Sequence, residues 1–215
     1  MSLTLHAHPL SSFCHKAMIA LYENDTPFHL HLVDLGNAES TAAFKAIWPV
    51  GKFPVLVDGT KDRTVPESSI IIEYLDQHYP GKTRFIPADP DLGRQVRFAD
   101  RFYDLHIHLH MQKIIGDRMR PADKRDAHGV EDAKRRMTVA LDMVEKQMAG
   151  KPWAAGDAFT LADCAAAPAL FYANHAMPFR DTHKTVAAYL DRLMARPSYA
   201  RTLKEAEPYF NMIPK

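Results

Sequence analysis

Residues 52–75 read Lys52-Phe53-Pro54-Val55-Leu56-Val57-Asp58-Gly59-Thr60-Lys61-Asp62-Arg63-Thr64-Val65-Pro66-Glu67-Ser68-Ser69-Ile70-Ile71-Ile72-Glu73-Tyr74-Leu75. Pro54 opens an apolar run, and a proline, which cannot donate to a ladder, is tolerated at the edge or end of a strand. Asp58-Gly59 is a turn signal, so Thr64-Val65 can return antiparallel to Val55-Leu56-Val57. From Ser69 to His78 the apolar residues Ile71, Ile72 and Leu75 fall on one side of a helix. This stretch therefore predicts a hairpin followed by a helix.

Upstream, Leu3 to Ala7 alternates as a short strand. Ser12 to Asn24 places Phe13, Ala17, Ala20 and Leu21 at helical spacing. Asn24-Asp25-Thr26-Pro27 stops that helix, because proline restricts the residue before it and Asn-Asp favours a turn. Phe28 to Val33 alternates strictly and predicts a half-buried strand. Thr41 to Ile47 predicts a short helix. The order is βαβ, hairpin, helix, which predicts a small mixed sheet with helices on its faces.

Downstream, Pro80 to Pro90 holds three prolines and one glycine without periodicity. It reads as a linker. Beyond Asp91 no strand pattern occurs. Helices are predicted over Leu92 to Asp117, Lys124 to Met148, Thr160 to Asn174, Thr182 to Ala195 and Ser198 to Ala206. The expected division is an α/β domain over 1–80, a linker over 81–90 and an all-α domain over 91–215.

Composition agrees with this division. The chain has 215 residues, 47% hydrophobic and 25% charged, an ordinary globular balance that excludes disorder, collagen and coiled coil. A chain of this length hides roughly 70% of its unfolded surface without disulfide or metal staples. Lys and Arg number 27 against 26 Asp and Glu, so no electrostatic case for a nucleic-acid partner exists. The longest apolar run, Cys164 to Ala173, contains Pro168 and is too short to span a bilayer. No basic segment followed by an apolar core opens the sequence, so no secretory signal and no membrane association are expected. Cys14 and Cys164 are the only cysteines. Their distance in sequence fits reduced thiols and a cytoplasmic protein.

Three turns can carry chemistry. His8-Pro9-Leu10-Ser11-Ser12-Phe13-Cys14 joins the first strand to the first helix. Unpartnered N–H groups and the helix dipole favour negative charge there, and a serine hydroxyl can either bind an anion or cap the helix. Cys14 falls in the first turn, where thiol pKa values are lowered, or is a small buried apolar residue. Gly51-Lys52-Phe53-Pro54 is either an ordinary strand start or a cis-proline turn that presents the Phe53 backbone. Glu67-Ser68 precedes an apolar helix and can cap it, or can seat a carboxylate and an ammonium. Farther on, Phe159-Thr160-Leu161-Ala162-Asp163 has the spacing of a capping box with a staple residue.

Taken in order, these pieces resemble the cytosolic glutathione transferase family over essentially the whole chain. His8-Pro-Leu-Ser11 resembles its serine-type active-site turn. Lys52-Phe53-Pro54-Val-Leu resembles the segment around its cis-proline. Glu67-Ser68 with Ile71 and Tyr74-Leu75 resembles its γ-glutamyl site, and Phe159 to Cys164 its capping box. The resemblance implies a thioredoxin-like N-terminal domain, an all-helical C-terminal domain and a homodimer.

It also implies roles. Ser11 would hydrogen-bond the glutathione sulfur and favour its thiolate, with Ser12 and Cys14 as alternatives. Phe53, before Pro54, would pair with the cysteinyl backbone. Glu67 and Ser68 would take the γ-glutamyl ammonium and carboxylate. Lys52, or Lys45, would take the glycyl carboxylate. Glutathione would be co-substrate rather than cofactor, no metal would be needed, and the partner would be a small apolar electrophile. Phe102, Tyr103, His106 and His110 are expected at the electrophile site, and Asp100 and Asp104 face either solvent or a second copy. His106 and His110 share a helical face that His108 does not, and no zinc-protease spacing accompanies them. The chain departs from the family pattern at Trp48-Pro49, where Asn-Pro is common, and at Phe53, where valine is common. It departs also in offering Ser11, Ser12 and Cys14 together.

Overall fold

The computed structural model describes residues 3–214. Its elements run β1 (Leu3–Ala7), α1 (Ser12–Glu23), β2 (His29–Leu32), α2 (Ala38–Ile47), β3 (Val55–Asp58), β4 (Arg63–Pro66) and α3 (Ser68–His78). Then follow α4 (Pro90–Phe102), a π-helical turn (Tyr103–His108), α5 (Leu109–Arg118), α6 (Ala127–Gln147), α7 (Leu161–Ala176), α8 (Lys184–Ala195) and α9 (Pro197–Ala206). Short 3₁₀ turns occupy Ala122–Lys124 and Glu207–Met212. Among the described residues, no helix is long and apolar enough to cross a membrane.

The chain forms two compact units, residues 1–85 with 197–208, and residues 86–196 with 209–215. In the first, a four-stranded sheet has the order β2-β1-β3-β4. β1 pairs parallel with β2, His6 opposite His31, and antiparallel with β3, Leu5 opposite Leu56. β3 and β4 form the expected hairpin, Leu56 opposite Val65. Side chains alternate across a strand. Leu3, Leu5 and Ala7 are all buried and share one face. The face carrying Val55 meets a cluster of Val33 and Phe44, with Ile47, Trp48 and Phe53 packed against it.

The strand β2 differs from expectation. Only Leu30 is partly covered, and His29, His31 and Leu32 are exposed. β2 is an edge strand. Alternation distinguishes its two faces without supplying a layer to cover either. α2 begins at Ala38, three residues earlier than expected, because the Asn37 side chain accepts the Glu39 and Ser40 N–H groups and caps it.

α1 is buried nearly all round. It packs against α3 and also against α9. The α9 contact is polar at its rim. Tyr22 donates to Glu205 at 2.5 Å, Ser198 donates to Glu23 at 2.7 Å, and the Arg201 guanidinium lies 3.9 Å from the Tyr22 ring centroid.

The second unit is all-helical. α7 is its core helix, buried over nearly its whole length and rich in alanine, which lets neighbours approach closely. Its N-terminus carries the expected capping box. The Asp163 carboxylate accepts from the Thr160 N–H at 2.9 Å, and Thr160 Oγ1 accepts from the Ala162 N–H at 3.3 Å. The helix expected over Leu92 to Asp117 is divided by the π-helical turn. A π turn holds more residues than an α turn, so the buried stripe shifts phase where hydrophobic periodicity alone reads straight through.

Candidate active site

In the first unit, the turn after β1 is built by its own polar groups. The Ser11 N–H donates to the His8 carbonyl at 2.9 Å, and the Leu10 N–H donates to His8 Nδ1 at 3.1 Å. Ser11 is the N-cap of α1 in extended conformation, and its Oγ accepts the Cys14 N–H at 3.4 Å. The capping reading of this serine is thus realised. Ser12 is buried at 8% exposure. Cys14 is fully buried, and burial pushes its thiol up to about 12, offset only in part by hydrogen bonds from Ser11 and the His8 backbone. The lowering expected of a first-turn thiol is overcome here by desolvation.

The Phe53–Pro54 peptide bond is cis. Pairing of β3 starts at Val55, so Phe53 lies outside the ladder. Its ring sits between His8 and Phe44, with centroid distances of 6.4 and 6.1 Å. Lys52 is exposed. Gly51 has φ +69°, and a Cβ there would stand 3.1 Å from Lys45 Cε. The Lys45 side chain thus lies against Gly51, the residue before Lys52.

Glu67 has φ 70° and ψ 121°, a left-handed conformation that side chains rarely adopt. Among the described residues its carboxylate makes no capping bond at the start of α3. Ser68, the first helical residue, is buried at 5% exposure. A strained backbone and an uncapped helix start coincide, the pattern found where a site rather than the fold sets the geometry.

In the second unit, an open groove of about 350 Å³ runs between α4 and α6. Phe98 and Phe102 of α4 and Val139 and Met143 of α6 line it, together with His106, His110 and Arg136. Three of the four residues expected at an electrophile site line this groove. Tyr103 does not. It is buried at 3% exposure, and burial drives its hydroxyl far above the usual range, with Tyr189 as hydrogen-bond partner. His108 is buried as well. His110 is held below the usual imidazole value by burial and by Arg136. Phe98, Val139 and Met143 are not among the residues singled out from the sequence. The i, i+4 spacing of Phe98 with Phe102, and of Val139 with Met143, was the available signal. Among the described residues, no three His, Cys, Asp or Glu side chains gather to hold a metal ion.

The family described as glutathione S-transferase, N-terminal domain, matches residues 5–83, and the corresponding C-terminal domain family matches residues 102–197. Glutathione S-transferase 3 of Zea mays is 30% identical over 94% of this chain and 93% of its own length. The chain belongs to the glutathione S-transferase family.

Two further proteins extend the likeness. A glutathione S-transferase from Methylobacterium radiotolerans, solved in complex with glutathione sulfonate, is 27% identical with a TM-score of 0.81. That match covers 94% of each chain. A stringent starvation protein A homolog from Haemophilus influenzae is 26% identical over 96% of this chain and 92% of its own. The transferase fold also accounts for the departures seen in sequence. Trp48 forms the C-cap of α2, its N–H on the Phe44 carbonyl, and packs on the Phe44 cluster. The bulk of Phe53 is taken up by the gap between His8 and Phe44.

Proposed function

We propose that this chain conjugates the glutathione thiolate to small apolar electrophiles, a detoxification chemistry, as a cytoplasmic homodimer. The observation that carries the reading is Glu67, left-handed and uncapped at the start of α3. Such a helix start offers N–H groups and a favourable dipole to a carboxylate, and a carboxylate side chain to an ammonium. A γ-glutamyl group carries both. Ser11 takes the sulfur. A free thiol of pKa about 8.5 is only a few per cent ionised at neutral pH, and lowering it by about two units needs roughly 2.7 kcal/mol of preference for the thiolate. One charge-assisted hydrogen bond and a helix N-terminus supply an amount of that order. Phe53 pairs with the cysteinyl backbone, and Lys52 takes the glycyl carboxylate, with Lys45 as the alternative. The buried, high-pKa Cys14 argues against thiol transfer through that residue.

Phe102, His106 and His110, with Phe98, are assigned to apolar recognition on the second unit. The exposed Phe98, Val139 and Met143 also suit coverage by a second copy. A second reading, a transferase-like interaction protein, is favoured by one observation: a relative named for starvation rather than for transfer aligns over 96% of this chain.

The test is the ultraviolet thiolate absorbance of bound glutathione, titrated from about pH 5 to 9 with Cys14→Ala as control. A midpoint well below the free thiol, retained in the control, supports conjugation, and an electrophile screen then follows. Absence of binding or an unshifted midpoint favours the interaction protein. Light scattering decides the dimer, which a monomer mass at micromolar concentration would exclude.

A further inference from the structure

Two consecutive polar side chains in the second turn of α1 are buried, His15 at 0% and Lys16 at 1% exposure. Lysine is among the residues least often buried, and a buried polar group is costly unless hydrogen-bonded. Each of these two reaches a different part of the candidate glutathione site. His15 Nε2 lies 2.5 Å from the Pro9 carbonyl, two residues before Ser11. Lys16 Nζ donates to Ser69 Oγ at 2.8 Å, one residue after Ser68. Successive helical positions are rotated by about 100°. One side chain therefore points back along the turn leading into α1 while the next points across to the start of α3.

The His15 contact has a defined sense. Burial lowers its imidazole to about 4, so the ring is neutral at physiological pH. Against a carbonyl acceptor, Nε2 must then carry the proton and donate. The ring also packs edge-on against Tyr199 of α9, with centroids 6.0 Å apart. A rigid ring thus fixes the position of Pro9, and through it the entry of the Ser11 hydroxyl.

We propose that His15 and Lys16 are positioning residues which hold the Ser11 turn and the Glu67-Ser68 seat at a fixed separation from a single turn of α1. The proposal rests on the glutathione reading above and adds the device that sets the distance between the sulfur end and the γ-glutamyl end. The two arms act on different observables. Losing the His15 arm lets the Ser11 turn shift, which weakens thiolate stabilisation and leaves the γ-glutamyl seat in place. Losing the Lys16 arm loosens the start of α3, which weakens glutathione binding and leaves the sulfur contact in place.

The experiment measures three quantities on the full chain: melting temperature, glutathione Kd by calorimetry, and the thiolate midpoint of bound glutathione. Removal of a positioning hydrogen bond is expected to move one observable by about tenfold, or about one pH unit. His15→Leu raises the midpoint with Kd nearly unchanged, and His15→Gln, which keeps an N–H donor, falls between it and the unsubstituted protein. Lys16→Met and Ser69→Ala raise Kd with the midpoint unchanged. Should His15→Leu or Lys16→Met fail to fold, the milder His15→Gln and Ser69→Ala decide alone. The inference is overturned if both arms leave the two observables where they were, or if midpoint and Kd rise together with a fall in melting temperature in every variant. If the unsubstituted protein binds no glutathione, the glutathione reading has failed first. Normal behaviour of that protein with unmoved variants defeats only the positioning roles.

Discussion

Ser11 Oγ accepts the Cys14 N–H at 3.4 Å, so the hydroxyl assigned to the glutathione sulfur is also the cap of α1. Accepting from a backbone N–H polarises the hydroxyl, and binding the glutathione sulfur turns its proton from Cys14 to that sulfur. Ser11→Ala is therefore expected to act twice. Turnover falls by about tenfold or more and the bound thiol midpoint rises, while stability falls by about 1 kcal/mol from the lost cap. Turnover and denaturation measured on one preparation separate the two effects. Normal turnover with lowered stability would leave Ser11 as a cap only.

Cys14 and Cys164 are both buried free thiols, and burial holds Cys14 up to about 12. The thiolate is the reactive form, so native protein at neutral pH should resist a disulfide reagent at both positions. Both thiols should titrate after denaturation. Cys14→Ala is expected to conjugate glutathione normally. Rapid stoichiometric labelling of native protein at Cys14, with loss of activity, would return the thiol-transfer chemistry to consideration.

Glu67 combines a strained backbone with a carboxylate that caps nothing. Glycine adopts its φ of 70° without steric cost. Glu67→Gly should thus match or exceed the parent in stability by up to about 1 kcal/mol, yet lose the ammonium contact. The expected rise in KM for glutathione is about tenfold or more, since a hydrogen bond to a charged group is removed. A glycine variant that binds glutathione normally would assign Glu67 a purely local role.

How far the fold was legible in the sequence follows from the same physics. Pro54, Asp58-Gly59 and the Asn24-to-Pro27 turn restrict backbone angles locally, and the hairpin and helix ends appear where those residues predict. The π-helical turn at Tyr103–His108 has no local residue that demands it, so periodicity alone predicts a continuous helix there. α9 shows its apolar face in sequence, but nothing in that pattern says the face covers α1. The site divides in the same way. Ser11, Phe53 and Glu67 are marked by their place beside turns. His15 and Lys16 are marked only by the Pro9 carbonyl and Ser69 hydroxyl they reach, contacts that exist once the chain has folded.

Asp163 does more than its place in the capping box predicts. Beyond the Thr160 N–H it accepts from the Ala154 N–H at 2.8 Å and from the Tyr189 hydroxyl at 2.6 Å. Thr160→Ala should cost about 1 kcal/mol. Asp163→Ala strands several buried donors and should cost about 3 kcal/mol or more. Asp163→Asn, which keeps one acceptor, should lie between. Urea denaturation gives the order, and activity per folded molecule should not change. Equal costs for Thr160→Ala and Asp163→Ala would mean that the Ala154 and Tyr189 contacts contribute little.

The last prediction concerns acid. Burial, then His31 and His29, lowers His6 to about 4, and burial lowers His15 to about 4. In the unfolded chain both titrate near 6.5. The folded value lies below the unfolded one, so stability is fully present above about pH 7 and declines as pH falls through 6.5 toward 4. For the fully buried His15 the loss between pH 7 and pH 5 is about 2 kcal/mol. His6 contributes less, about 1 kcal/mol, because its histidine neighbours are solvated. His6→Phe removes that titration while keeping a ring beside Phe44, whose centroid lies 6.2 Å from that of His6. Denaturation at the two pH values should show a smaller acid loss in this variant than in the parent. An identical loss in both would mean that His6 accepts a proton in the folded state, and that its burial does not set its charge.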